Sequence, residues 1–120
     1  MEVFGYRKLC AYNKGKEIVK CVYKLLKNFP LDEKYDLCSQ IRRAAISVTS
    51  NIAEGVNRYS VKDKSHFIEM SYGSLMELSS QLEISQELGF ISIKQQIYID
   101  KLIEEEARIL SGLYRSYTHP

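Results

Sequence analysis

Two sets of cations are the residues of this chain whose types and spacing point to chemistry: Arg42-Arg43, and the lysines at 16, 20, 24 and 27. Steps of four, four and three along a helix place Lys16, Lys20, Lys24 and Lys27 on one stripe, nearly opposite the apolar face of Ile18, Val22 and Leu25. Such a stripe reads in two ways. It is either a solvated outer face or a phosphate-binding surface, where released counterions make binding salt-dependent. Arg58 is a weaker addition to the second reading. The chain also carries nine tyrosines, and tyrosine can stack on bases. However, Tyr12 and Tyr23 lie towards the apolar side of the same segment, so core packing is their expected role.

Arg42 and Arg43 sit in a run of small residues, QIRRAAISVTSNIAEG at 40–55, beside the Ile41, Ala45 and Val48 stripe. Both cannot then be fully exposed, and a buried guanidinium needs a carboxylate or carbonyl partner. Glu54 lies three turns further along and is too distant. Glu69, Glu77 or Glu83 of the following acidic segment, or a neighbouring subunit, are the available partners. Structural ion pairing or an interface is therefore the expected role of Arg42, Arg43, Asn51, Glu54 and Glu77.

Catalytic constellations do not assemble. A di-iron bundle needs Glu-x-x-His on two helices, but this chain has two histidines, and His66-Phe67-Ile68-Glu69 runs in the reverse order. Nucleophilic triads meet the same shortage of histidine. The six glycines stand singly, so no phosphate loop is present. Cys10, Cys21 and Cys38 are odd in number and lack metal-ligand spacing, as expected of reduced thiols in a cytoplasmic protein. The expectation is a non-enzymatic protein without metal or cofactor.

Those side chains are positioned by a short chain with uneven charge. With 120 residues there is room for one domain and one core. Residues 1–30 hold seven cations against Glu2 and Glu17, a balance of +5; residues 61–90 hold Lys62 and Lys64 against five acids, a balance of −3. Complementary helices or a basic face for an anionic partner would account for this. No apolar run reaches membrane-spanning length, and the first residues lack a signal-peptide pattern.

Apolar residues recur at three- and four-residue spacing in four blocks, predicting helices over roughly 7–28, 33–56, 61–88 and 93–117. Pro30 ends the first, with Asp32 as expected N-cap of the second; Gly55 and Asn57 mark the second's end. Ser60-Val61-Lys62-Asp63 resembles a capping box, Gly89 is a natural helix terminator, and Ser92 is placed to cap the last helix. The third helix should bury Phe67, Ser71, Ser74, Leu75, Leu78, Leu82 and Leu88. The fourth should bury Ile99, Ile103, Leu110, Leu113 and Tyr117, with Glu106 interrupting. Short connections favour antiparallel neighbours. The fold class is all-α: an antiparallel up-down-up-down four-helix bundle over 1–120.

The run Gln40 to Gly55 resembles the signature of the 23S rRNA-intervening-sequence proteins, also called the S23 or four-helix-bundle family. Phe29-Pro30, Asn57-Arg58 with Ser60, Gly73-Ser74-Leu75-Met76-Glu77-Leu78 and Leu88-Gly89-Phe90-Ile91 follow the family's order. Two departures stand out. Leu9-Cys10-Ala11-Tyr12 replaces Leu-x-Val-Trp, and Thr49 stands where proline is frequent, leaving the second helix less kinked. The resemblance implies a small bacterial bundle forming a ring-like homo-oligomer, expected to be a pentamer. A related branch, the accessory variability proteins of diversity-generating retroelements, implies RNA or DNA and a protein as further partners. It implies no catalytic residues and no membrane. A protein-interaction module without nucleic-acid contact is the competing expectation.

Overall fold

The computed structural model describes residues 2–119, which form four helices: α1 (Cys10–Leu26), α2 (Leu37–Val56), α3 (Val61–Glu87) and α4 (Ile93–Thr118). They pack in a ring in chain order, α4 returning to α1, with no close approach across either diagonal. Up-down-up-down topology follows, in a rod of 44 × 23 × 20 Å. Among the described residues no helix is long and apolar enough to cross a membrane.

The helix ends show which local signals decide. Before α1 the chain makes a 3-10 turn, Gly5–Lys8, so the α-helix starts at Cys10 rather than near residue 7. Its last turn tightens, with Asn28 and Phe29 N–H donating to the carbonyls of Leu25 and Leu26, and Pro30 ends it. The Asp32 cap expected for the second helix is not formed. Asp32 lies in a 3-10 turn, Leu31–Glu33, and α2 begins four residues later than expected behind Asp36, whose side chain makes no cap bond.

Ser60 Oγ accepts from Asp63 N–H at the start of α3. At α4 a full capping box forms: Ser92 Oγ accepts from Gln95 N–H, and Gln95 Oε1 accepts from Ser92 N–H. Gly89 has φ of +84°, and Phe90 N–H reaches back to the Ser85 carbonyl at 2.8 Å, closing α3 with a Schellman motif. Gly55 has a different role from the terminator expected. It is helical, and a Cβ there would lie 2.5 Å from Phe67 Cβ, so its hydrogen lets α2 and α3 touch.

The core runs the length of the rod through Ile18, Val22, Ile41, Ala45, Val48, Ile52, Ile68, Leu75, Leu78, Leu82, Ile99 and Leu110. Small residues bring α2 and α3 together, and Ser71 Oγ donates to the Val48 carbonyl across that seam at 2.8 Å. Leu88, expected in the core, is exposed at the cap of α3; the turn at Gly89 returns Phe90 and Ile91 to the bundle in its place. Phe67, Ser74, Leu113 and Tyr117 are only half-buried. Thr49 is buried, its hydroxyl donating to the Ile46 carbonyl, and α2 runs unbroken through it.

Candidate nucleic-acid interface

The lysine stripe emerges as the spacing requires. Lys16, Lys20, Lys24 and, at the C-cap, Lys27 are all exposed on the outer side of α1, across about 16 Å along the helix axis. None forms an ion pair among the described residues. Lys16 lies 5.3 Å from the Tyr12 ring centroid. Lys14, two residues before Lys16 and so on the opposite side of α1, is committed to structure. Its Nζ meets Glu105 of α4 at 2.8 Å and Glu17 at 3.1 Å, and these acids hold its pKa well above the ordinary lysine value.

Arg42 and Arg43 do not make the intramolecular ion pairs expected of them; neither meets a carboxylate among the described residues. Arg42 is half-buried, and its guanidinium donates to the Lys34 carbonyl at 3.2 Å, the carbonyl solution to its partial burial. Arg43 is exposed. It lines, with Glu77, a hollow of about 380 Å³ between α2 and α3, but the Glu77 carboxylate accepts from Gln81 Nε2 instead, at 3.3 Å. The α2 helix turns these arginines towards α1 as much as towards the acidic α3. Sequence periodicity could not choose between those neighbours.

Between α1 and α2 runs a groove of about 460 Å³, bordered by Tyr23, Ile46, Arg42 and Arg43 with Ser39 and Ser50. A second hollow of about 320 Å³ continues it past Tyr23 and Arg42 to Lys27, Lys34 and the Phe29-Pro30-Leu31 turn. No carboxylate lines either one. Tyr23 corrects the expectation of core packing, being 44% exposed at the groove's lip. Its neighbours Val19 and Leu26 pointed it inwards, whereas the lysines at 20, 24 and 27 flank it on the surface. Tyr12 does pack partly inside, edge-on to Tyr6 at 4.8 Å.

The remaining candidates are scattered. Arg58 stacks over Phe67 at 4.6 Å from the ring centroid, beyond the end of α2, away from the groove. Asn51 Nδ2 donates to the Ser47 carbonyl and hydroxyl, and Ser47 Oγ lies 2.8 Å from Ser74 Oγ, a polar link between α2 and α3. Glu54 is exposed and unpaired among the described residues. His66 and His119 are exposed, and no group of three or more His, Cys, Asp or Glu among the described residues could hold a metal. Cys10, Cys21 and Cys38 are free thiols.

One residue was underrated in sequence. Glu106 does not merely interrupt the α4 seam; it is fully buried, with neither carboxyl oxygen hydrogen-bonded. A Cβ on Gly15 would stand 3.0 Å from its Oε2 and 2.8 Å from the Thr49 methyl. Burial pushes its pKa up to about 8, with Lys14 pulling weakly the other way. The signal available was its place in the Ile99, Ile103 and Leu110 seam, which marks the position as core but not that Gly15 and Thr49 close over the carboxyl.

No protein of curated function matches the chain. Among solved structures it is similar to a protein of unknown function from the S23 ribosomal protein family of Bacteroides thetaiotaomicron. The TM-score is 0.78 at 21% identity, covering 88% of this chain and 98% of that one. The family model described as 23S rRNA-intervening sequence protein matches residues 7–112. With that match spanning most of the four helices, the chain belongs to the 23S rRNA-intervening sequence protein family.

Proposed function

We propose that this protein is a non-enzymatic, self-assembling bundle that binds RNA or DNA through the face made by α1 and α2. The observation that carries this reading is the composite basic surface. Lys16, Lys20, Lys24 and Lys27 stand exposed and unpaired among the described residues, beside a groove edged by Lys34, Arg42 and Arg43 and lined by no carboxylate. A solvated face needs no such segregation, since mixed signs keep a surface soluble equally well. The three free thiols suit a reducing compartment, which the cytoplasm is.

Gel shifts with bulk RNA, titrated with salt, test it. Binding should weaken by several powers of the salt concentration. Changing Lys20 and Lys24 together to Glu should abolish it, and equal binding by that variant overturns the assignment.

A second reading is favoured by the opposite side of the ring. There α3 and α4 enclose an apolar groove of about 480 Å³ lined by Ile68, Tyr72, Leu110 and Tyr114. Met76, one turn beyond Tyr72 on α3, is also exposed. This face supports contact with polypeptide: a further copy of the chain, or a different protein if the module binds no nucleic acid. Light scattering separates these, an assembled particle supporting self-association and a monomer the alternative.

A further inference from the structure

The groove between α1 and α2 has a shape and lining that a purely electrostatic surface does not need. We propose that it receives an unpaired nucleotide of a bound strand, with the base against Tyr23 and the adjoining phosphates on Arg42, Arg43 and Lys27. This rests on the basic face being a nucleic-acid surface, and adds which form of nucleic acid it prefers.

Tyr23 is the starting point. The other large side chains of α1's central turns, Ile18, Val22 and Leu25, are buried, while Tyr23 is held at the surface with lysines three residues before it, next to it and four residues after it. An aromatic ring among cations offers a base a stacking partner while its phosphates are neutralised on either side. Ile46 of α2, 41% exposed, adds an apolar side chain to the same lining. Arg42 is oriented by its bond to the Lys34 carbonyl, which uses one of its five donors and leaves the others for an anion. Arg43, one residue on, is exposed and free of ion pairs among the described residues. Asp32, Glu33 and Asp36 belong to the nearby connection, yet none lines the groove.

Duplex and single strand would meet this surface differently. The hollow beside Tyr23 has a volume of about 460 Å³, the size of a small-molecule site, which suits one base and not a double helix. A duplex, whose bases are stacked inside, would touch the lysines with its phosphates and leave Tyr23 idle. An unpaired segment can splay a base onto the ring. The preference for single strands should therefore reside in Tyr23, while the lysines serve both forms alike.

The test is fluorescence anisotropy with an unstructured oligonucleotide, its duplex, and the same strand carrying abasic sites. Wild-type protein is expected to bind the single strand more tightly than the abasic strand. Tyr23→Leu should weaken the single strand by about tenfold, leave the duplex and abasic strand unchanged, and Tyr23→Phe should restore stacking. Ribo- and deoxyribo-strands run in parallel show which sugar the site favours, the Tyr23 dependence being expected in the tighter binder. Circular dichroism confirms folding of the variants.

Equal loss on single strand and duplex, or no loss with Tyr23→Leu, overturns the inference while the basic-face reading stands. Displacement of the strand by polyglutamate as readily as by unlabelled strand overturns it too, since a pure charge site would behave so. If no nucleic acid binds at low salt, both fail together.

Discussion

A carboxyl group wrapped by the glycine of one helix and the threonine of another, with no hydrogen-bond partner, keeps its place by carrying a proton. Glu106 is in that position. Its folded pKa of about 8 lies above the ordinary 4.5, so the native chain holds the proton more tightly than the unfolded chain does. The contribution is present in full in acid and is lost as pH rises from about 5 to 8, by at most about 1.4 kcal/mol per pH unit. Thermal melts should give a higher Tm at pH 5.5 than at pH 8, and Glu106→Gln should flatten that difference. An unchanged pH dependence in the variant would remove Glu106 from the account.

Two glycines make a contrast at the same scale. Gly55→Ala drives a methyl into Phe67 and should cost about 1–3 kcal/mol. Gly112→Ala meets nothing within 4 Å and should gain about 0.5–1 kcal/mol from helix propensity. Urea unfolding of both variants measures the difference.

Among the elements, the strength of each local signal tracks how well the sequence could be read. Pro30, Gly89 and Ser92 act through their own backbone or a neighbour three residues away, and the structure uses each as expected. Ser92→Ala should cost about 1 kcal/mol in urea unfolding, because Gln95 N–H loses its acceptor. Asp32 failed as a cap because the chain after Pro30 first makes a 3-10 turn, Leu31–Glu33, which takes Asp32 out of the position before the helix. Positions on the border of a stripe were illegible for the same reason. Tyr23 borders both core and surface on α1, and only the placement of α2 decides which it joins. Arg42 and Arg43 likewise border two helices, α1 and the acidic α3, and neither meets a carboxylate among the described residues.

At the scale of the whole molecule, four blocks of helical periodicity and short connections were enough to give the bundle and its chain order. The four lysines of the stripe could be placed from spacing alone. What needed three dimensions was the union of that stripe with α2, because Lys34, Arg42 and Arg43 reach it across a groove rather than along a helix. Since α1 and α2 stand opposite α3 and α4 in the ring, the basic and apolar grooves face away from each other. A polypeptide seated on the apolar groove would leave the basic face open.

On the proposed nucleic-acid reading, a stripe of only about 16 Å lets one chain meet few phosphates, and its grip at physiological salt should be slight. Occupancy should then follow the number of copies joined on one strand, because each added copy brings its stripe at high effective concentration. Isotherms are expected to be sigmoidal in protein concentration, with an onset that coincides with assembly. A hyperbolic isotherm from monomers would show that a single short stripe suffices.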